Sequence, residues 1–349
     1  MYFRKMNLIK ILLQIISMPY RLITNLRNWF FNIGILKAYN SSIPVISIGN
    51  LNMGGTGKTP HVAYLIEQFQ DKNTAIISRG YKRKSSGLIE GCYHTHTASE
   101  IGDEPMELLR LFHGSKFKII VISCRKKGLK YIENHQSKTD LIILDDGYQH
   151  RYAHRDLNIL LTDYNKPFFD DAIIPLGTLR EKKQNAKRAD IILVTKCPSN
   201  ISKKIQNDFN RQISNYSTAK TFFTKIEYLG LININDKHEK IDNTKKYLLI
   251  TGIANPQTIY EYLAKNKIHF AAKKYSDHHS FSKKEIQYII KKSINYDAII
   301  TTEKDWMRLK ETKLSEAISI EILRLSIGIK FVDSEQDNTF NKIIKSLIN

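Results

Sequence analysis

The sequence is poor in cysteine and, at its start, in acidic residues. Cysteine occurs three times in 349 residues, at scattered positions and without a C-x-x-C pair (Cys92, Cys124 and Cys197). Such a set suggests neither a disulfide framework nor a zinc site, so we expect a reducing compartment. No Asp or Glu precedes Glu67, and neither an internal repeat nor a low-complexity linker is present. The length suits two domains of roughly 100 to 200 residues each.

Long apolar runs are missing from the N-terminal region. The uncharged run ILLQIISMPY between Lys10 and Arg21 has ten residues, whereas a membrane-spanning helix needs about 20. No small-residue cleavage site follows it, which argues against a signal peptide. Residues 1–40 are instead predicted to form one or two amphipathic helices that bind an anionic membrane surface. Packing of these helices on the protein's own core is the alternative. The basic residues are Arg4, Lys5, Lys10, Arg21, Arg27 and Lys37, and the apolar ones are Leu8, Ile9, Leu12, Leu13, Ile16, Trp29, Phe30 and Phe31.

The formal net charge is +20, which predicts an anionic partner. Nucleic acid, an anionic membrane and a phosphorylated substrate all meet that expectation, and the charge does not choose among them. The chain is also rich in Lys, Asn and Ile together. Biased base composition produces this pattern without any ligand.

Apolar, β-branched runs alternate with helical segments through the first two thirds of the chain. The runs are PVISIGN (44–50), NTAIIS (73–78), KIIVIS (118–123), DLIILDDG (140–147), LNILLTD (157–163) and ADIILVTK (189–196). Near-continuous runs of this kind indicate a parallel sheet with both faces covered.

The chain after residue 220 has a different pattern. Residues 220–241 alternate in polarity around an Asn-Asp-Lys turn, which predicts a β-hairpin. Beyond it, strands and helices repeat, and residues 297–309 are predicted as a strand running into a loop. We therefore predict an α/β fold of the P-loop NTPase type with a mostly parallel sheet, divided at 1–40, 41–219 and 220–349. The last segment is a smaller α/β domain joined through the hairpin.

The segment GNLNMGGTGKTP, residues 49–60, has the pattern of a phosphate-binding loop with one substitution. In such a loop, backbone N–H groups and a helix start surround the phosphates, a lysine neutralises their oxygens and a Thr hydroxyl binds Mg²⁺. Asn52 stands where the first glycine is usual, and we attribute this to the readiness of Asn to adopt left-handed backbone angles. The three glycines are expected to supply the other unusual angles. The predicted nucleotide-binding residues are Asn52, Met53, Gly54, Gly55, Thr56, Gly57, Lys58 and Thr59.

Three further segments carry titratable side chains. In LIILDDGYQH, Asp145 and Asp146 end a predicted buried strand. There a cation would neutralise them, so together with Thr59 they are the predicted Mg²⁺ ligands. In IGDEPMELL, Asp103 precedes Pro105 at a helix start, and taken alone these acids are best explained as helix caps. In YSDHHSFSKKEI, two adjacent histidines precede a helix, which by itself is more typical of a surface than of catalysis.

In their order along the chain, these segments resemble the tetraacyldisaccharide 4'-kinases of lipid A biosynthesis. The resemblance covers nearly the whole chain, including the basic apolar N-terminus, and the family's P-loop also lacks the early glycine. The matching motifs are GNLNMGGTGKTP (49–60), SRGYKRK (78–84), GDEP (102–105), DDGYQH (145–150), LREK (179–182), DHH (277–279) and TEKD (302–305).

The resemblance implies an ATP- and Mg²⁺-dependent kinase. Its acceptor would be the 4'-hydroxyl of an acylated glucosamine disaccharide 1-phosphate, at the cytoplasmic face of the inner membrane. Asp103 and His278 would act in catalysis, with His279 as the fallback, and which of them takes the proton is left open. We also expect a peripheral monomer that binds no nucleic acid. Acyl-chain preference and the adenine contacts stay open.

Three arginines, Arg79, Arg125 and Arg180, are further candidates to bind phosphate, and an ordinary ion pair is the alternative for each of them. Of the three, Arg180 is expected to take part in catalysis together with Lys58. Glu181 and Asp305 would support Arg180 or the metal site.

Other classes of protein fit parts of the sequence. A partitioning-type P-loop ATPase has a similar loop and anchor, but its signature lysine is replaced here by Met53. A GTPase needs a carboxylate in the VTKCP segment, where Pro198 stands. A nucleic-acid-binding protein agrees with the charge but lacks a recognisable module. The partitioning ATPase is the main alternative.

Overall fold

A computed structural model of the chain describes residues 2–348 except Ala254 and His278; for residues 2–11 it describes the backbone alone. The chain divides into two compact units. Unit 1 comprises residues 1–79, 114–226 and 329–349, and unit 2 comprises residues 80–113 and 227–328.

The helices and strands alternate through most of the chain. The helices are α1 (Tyr2–Asn32), α2 (Lys58–Gln68), α3 (Ala98–Ile101), α4 (Asp103–Leu111), α5 (Arg125–His135), α6 (Lys203–Ser214), α7 (Gln257–Lys265), α8 (Lys283–Ser293), α9 (Glu303–Glu311), α10 (Leu314–Ala317) and α11 (Ser334–Lys345). The strands are β1 (Val45–Asn50), β2 (Thr74–Ser78), β3 (Ile89–Gly91), β4 (Phe117–Val121), β5 (Leu141–Asp145), β6 (Leu157–Asp163), β7 (Ile191–Thr195), β8 (Lys220–Asn233), β9 (His238–Glu239), β10 (Lys246–Thr251), β11 (His269–Lys274), β12 (Ala298–Thr302) and β13 (Glu321–Phe331).

Unit 1 contains a parallel sheet in the order β8-β7-β6-β1-β5-β2-β4. Every residue of β1, β2, β5 and β7 is buried, as expected for apolar strands with both faces covered. Strand β1 lies between β5 and β6, and Ile48 pairs in register with Asp145. The loop after β1 and the acids that end β5 therefore emerge side by side at the carboxyl edge of the sheet.

Helix α1 belongs to unit 1 and is held through the polar residues of its C-terminal half. Asn28 is buried, and its side chain donates a 3.1 Å hydrogen bond to Glu181. Tyr20 Oη donates to the main-chain oxygen of Arg180 over 3.0 Å. Much of the remaining helix surface is apolar and exposed. Exposed residues include Leu12, Ile15, Ile16, Met18, Leu22, Ile23, Leu26 and Trp29.

The sequence predictions for this helix are only partly described by the structure. The side chains of Arg4, Lys5, Leu8, Ile9 and Lys10 lie outside the described residues. None of the helices in the described part of the chain has both the length and the apolar character needed to cross a membrane.

Unit 2 contains the strands of the second α/β region in the order β11-β10-β12-β13-β8-β9. Strands β10, β11, β12 and β13 are parallel. The predicted hairpin is present, because β8 and β9 pair antiparallel with Leu231 opposite Glu239. The turn residue Asp236 has a φ of 62°, the left-handed conformation that Asp tolerates in turns.

The structure differs from the sequence prediction in two respects. Residues 80–113 belong to unit 2 and residues 329–349 to unit 1, whereas contiguous boundaries at 41–219 and 220–349 were predicted. Local sequence patterns do not show that residues 80–113, which lie between two segments of unit 1, belong to the same unit as residues 227–328. Secondly, the segment after β12 is helix α9 and not a loop. The Thr302 side chain caps this helix by accepting a 3.0 Å hydrogen bond from the Asp305 N–H.

Candidate active site

The loop after β1 has the backbone of a phosphate-binding loop. Gly54 has a φ of 121° and Gly57 a φ of 83°, conformations that L residues rarely adopt. Gly57 caps α2, which begins at Lys58 and continues for 11 residues. The first N–H groups of this helix have no partner within it and favour an anion. The loop is thus suited to bind phosphate.

Lys58 lies among oxygen atoms at the start of α2. Its Nζ is 3.6 Å from Asp146 Oδ1 and 3.5 Å from Asn50 Oδ1. The side chain is mostly buried, so its charge is poorly screened by water. This ammonium can pair with phosphate oxygens in the same way as it pairs with Asp146.

The proposed reason for Asn52 was wrong. Asn52 is not among the residues with positive φ, and its side chain Nδ2 donates a 2.9 Å hydrogen bond to Asp171 Oδ2. Beside it, the Met53 N–H donates to the Thr178 oxygen over 2.6 Å. The loop therefore pairs with residues 171–180, and this position uses a side-chain donor where a glycine would offer none.

Thr195, the last residue of β7, and Lys196, the residue after it, support the loop. Neither was predicted as a site residue. Thr195 Oγ1 donates a 2.9 Å hydrogen bond to the Thr56 oxygen. Lys196 Nζ donates to the Gly55 oxygen and lies 2.7 Å from Asp163 Oδ2. The segment VTKCP, which superficially resembles a guanine-binding motif, thus contacts the loop's main chain. The sequence signal for this contact was a lysine placed directly after an apolar strand.

Asp145 is the last residue of β5 and Asp146 follows it, so both acids lie at the carboxyl end of the strand, as predicted. Ser78 Oγ donates a 2.9 Å hydrogen bond to Asp145 Oδ2. Burial by itself would raise the pKa of Asp146, but the charges of Lys58 and Arg180 outweigh it and lower that pKa to about 2. Asp146 is therefore ionised at neutral pH.

The oxygen donors at this edge fit Mg²⁺. Asp146 Oδ1 is buried and accepts no hydrogen bond from the described residues, and carboxylate and hydroxyl oxygens are the ligands that Mg²⁺ prefers. No cluster of three or more His, Cys, Asp or Glu suited to a metal occurs in the part of the chain that the structure covers. A site with two carboxylates is sufficient where substrate phosphates and water complete the shell.

Arg180 reaches the same carboxylate from the LREK segment. Its Nη1 donates a 2.9 Å hydrogen bond to Asp146 Oδ2 and a 3.4 Å bond to Gln149 Oε1. Gln149 Nε2 in turn donates to the Asn50 oxygen over 2.9 Å. DDGYQH, LREK and the start of the loop are thereby brought together.

The other two arginine candidates differ in burial. Arg79 is exposed, directly after β2. Arg125 is 2% exposed, and its guanidinium donates 2.8 Å hydrogen bonds to the main-chain oxygens of Ile122 and Asp145. Burial lowers the pKa of Arg125 to about 10. Arg125 thus supports the carboxyl edge of the sheet through its main chain.

Glu181 does not contact Arg180 through its side chain, contrary to the expected support. It is 1% exposed, and its carboxylate lies 2.8 Å from Arg188 Nη2 and 3.2 Å from Arg27 Nη2. Together with the Asn28 contact, these ion pairs fasten α1 to the LREK segment.

In unit 2, Asp103 begins α4, as predicted. Arg308 Nε of α9 donates a 3.0 Å hydrogen bond to Asp103 Oδ2, and Arg308 Nη2 donates to the same oxygen. His279 Nε2 lies 2.9 Å from Glu285 Oε1, and its ring stacks on Tyr275. His278 lies outside the described residues, so its predicted role stays a prediction.

This fold and this loop define a P-loop nucleotide-binding protein, with paired carboxylates beside the lysine. Comparison with known proteins identifies the group within that class. The family model LpxK, described as Tetraacyldisaccharide-1-P 4'-kinase, matches residues 9–349. The chain belongs to this family, whose members are ATP-dependent phosphotransferases.

Individual relatives agree. The tetraacyldisaccharide 4'-kinase of Flavobacterium psychrophilum is 39% identical over 99% of this chain and 97% of its own. That of Flavobacterium johnsoniae is 38% identical over 95% of this chain and 96% of its own. The fold is also similar to a crystal structure of LpxK from Aquifex aeolicus in complex with ATP, with a TM-score of 0.75. The two sequences are 28% identical, and the superposition covers 98% of this chain and 100% of that chain.

The full-length family match favours the 4'-kinase over the partitioning-type P-loop ATPase, which was the main alternative.

Proposed function

We propose that the protein transfers the γ-phosphoryl group of ATP to the 4'-hydroxyl of tetraacyldisaccharide 1-phosphate. The observation that carries this proposal is the full-length match to the 4'-kinase family. The phosphate-binding loop beside the paired carboxylates, with Lys58 3.6 Å from Asp146, supports the phosphotransfer half of the reaction.

Residues of unit 1 are proposed to bind the nucleotide. The loop N–H groups and Lys58 would bind and orient the phosphates, which carries most of the catalysis in phosphoryl transfer. Thr59, Asp145 and Asp146 would hold Mg²⁺, which when bound neutralises charge on the phosphate oxygens. Arg180 would move between Asp146 and a phosphate oxygen, since a guanidinium suits both.

Residues of unit 2 are proposed to prepare the acceptor. Asp103 would accept the proton of the sugar hydroxyl or orient it, together with His278. His279 is the fallback, but its Nε2 already pairs with Glu285.

The test is an assay of the purified protein with Mg·ATP and a tetraacyl disaccharide 1-phosphate in mixed micelles. We expect one phosphate per acceptor, detected by mass spectrometry as a bisphosphate, and no transfer after EDTA. Restoration by added Mg²⁺ serves as the control for EDTA. Nucleotide turnover that DNA stimulates and the lipid acceptor does not would refute the proposal.

We further propose that α1 binds the enzyme reversibly to the cytoplasmic face of the inner membrane. Its exposed apolar residues and nearby basic residues such as Arg21 suit an anionic bilayer surface. A monomeric state and the lack of a nucleic-acid partner stay predictions that analytical ultracentrifugation and gel-shift assays can test.

Replacing Leu22 and Ile23 together by serine should weaken binding to anionic vesicles. These side chains are 69% and 67% exposed, and losing their burial in the bilayer interface should lower the partition coefficient about 10- to 100-fold. Cosedimentation with phosphatidylglycerol-containing vesicles measures the change. Ile294→Ser in unit 2, at a residue 79% exposed, is the matched control and should bind like wild type. Equal binding by the double variant and wild type would contradict the proposed surface.

A further inference from the structure

The side chain of Arg308 contacts residues of three matched motifs in unit 2, namely GDEP, DHH and TEKD. It lies on α9 and is largely buried. Its Nε and Nη2 donate to Asp103 Oδ2 in the GDEP motif. Its Nη1 donates a 3.3 Å hydrogen bond to the main-chain oxygen of His279 in the DHH motif. The partners lie 205 and 29 residues away along the chain.

The guanidinium is itself held in place by Asp305 of the TEKD motif. Arg308 Nη1 lies 3.6 Å from Asp305 Oδ1. The other oxygen, Asp305 Oδ2, accepts a 2.8 Å hydrogen bond from the Gly252 N–H and a 2.7 Å bond from Thr302 Oγ1. Asp305 is 0% exposed. Burial raises its pKa, and its hydrogen bonds and the charge of Arg308 oppose that rise.

The geometry of these contacts indicates that Arg308 orients the Asp103 carboxylate and does not only neutralise its charge. Two nitrogens of one planar guanidinium bind the same carboxylate oxygen, and the third nitrogen binds a main-chain oxygen. A lysine ammonium would supply the charge but not three fixed directions. The neighbouring ion pair between Lys304 and Asp277, at 3.4 Å, adds opposite charges to the same region and leaves its net charge unchanged.

We propose that Arg308 is a positioning residue for phosphoryl transfer. It holds the Asp103 carboxylate and the main-chain oxygen of His279 in one fixed arrangement, so that the carboxylate is oriented before the acceptor binds. This inference rests on the proposed function and on Asp103 being the catalytic carboxylate.

Arg308→Gln and Arg308→Lys in the full-length enzyme test the proposal. A small displacement of a catalytic group can cost about 10²-fold in rate, so we expect R308Q to lower kcat by that factor. The KM for ATP should change little, because the loop that binds ATP belongs to unit 1. R308K should recover part of the lost kcat, since it keeps the charge next to Asp103.

A double-mutant cycle with Asp103→Asn separates positioning from general stabilisation. If Arg308 acts through Asp103, adding R308Q to D103N should lower kcat less than about threefold, because coupled residues are not additive. Arg110→Lys is the matched control. Arg110 is a buried arginine of unit 2 paired with Glu303 at 2.5 Å, and it does not contact Asp103 in the contacts described. R110K should lower the melting temperature and leave the KM for ATP unchanged. Its effect on kcat should be the same in the wild-type and D103N backgrounds.

Each outcome decides the proposal. It is supported by a loss of kcat in R308Q that D103N abolishes and that R308K partly restores. It is overturned by a wild-type kcat in R308Q, or by equal losses of kcat in the wild-type and D103N backgrounds. If R308Q fails to fold, the comparison of R308K with R110K in both backgrounds applies the same criterion. Failure of the wild-type enzyme to phosphorylate the acceptor would refute the proposed function as well, whereas failure of the Arg308 proposal alone leaves wild-type transfer intact.

Discussion

Lys58→Ala is expected to lower kcat about 10²- to 10³-fold, the usual cost of removing one electrostatic group from a reacting centre. Lys58 directly follows the capping residue Gly57, and its Nζ is 3.6 Å from Asp146 Oδ1. In phosphate-binding loops of this kind, the lysine at this position contacts the β and γ phosphates. The KM for ATP should rise too, because the same charge binds the ground state. Steady-state kinetics with varied Mg·ATP at saturating acceptor measure both parameters.

The control for this variant is Lys72→Ala in the same unit. Lys72 forms a surface pair with Asp71 at 3.7 Å. Surface substitutions of this kind usually change the free energy of unfolding by less than about 0.5 kcal/mol, so K72A should retain the wild-type kcat. Circular dichroism should give K58A a native spectrum, since Arg180 still neutralises Asp146 at 2.9 Å. Activity of K58A within a few-fold of the control would mean that the phosphates bind elsewhere.

The main elements of unit 1 could be predicted because their signals are local. The runs ending in Asn50 and Asp145 are apolar, β-branched and bounded by turns, and both form fully buried parallel strands. A parallel sheet requires their carboxyl ends to share one edge. The positions of the loop and of the two carboxylates follow from that constraint alone.

Contacts across the chain could not be predicted in this way. Asn52 was explained by a backbone preference, yet its side chain binds Asp171, 119 residues away. Glu181 binds Asn28 over a separation of 153 residues. Arg308 was not singled out at all, because a single arginine on a helix gives no local signal of what it contacts. Pairings at this range depend on how separate segments pack, which one sequence does not specify.

The motifs that match the kinase family form two groups, one in each unit. The loop, DDGYQH and LREK meet through Lys58, Arg180 and Gln149 in unit 1. GDEP, DHH and TEKD meet through Arg308 in unit 2. We infer a division of labour in which unit 1 binds the nucleotide and unit 2 prepares the acceptor hydroxyl. Variants of the two groups should therefore separate in their effects on ATP binding.

Asp103→Asn is the sharpest test of that division. The substitution keeps the shape of the side chain and an oxygen that can accept the hydrogen bonds of Arg308, so unit 2 should fold normally. It removes the carboxylate that would accept the proton, and loss of a general base typically lowers kcat about 10²- to 10⁴-fold. ATP affinity, measured by titration calorimetry, should stay at the wild-type value.

The matched control is Asp297→Asn, also in unit 2, where the carboxylate accepts a 2.7 Å hydrogen bond from the Lys246 N–H. It should retain wild-type kcat, because its role is confined to that turn. Comparison with His278→Ala then indicates which group takes the proton. If D103N loses more activity than H278A, Asp103 is the base and His278 orients or stabilises it. If D103N retains wild-type kcat, Asp103 only caps helix α4, as its position at the start of that helix also allows, and the base must be sought among the other groups of unit 2.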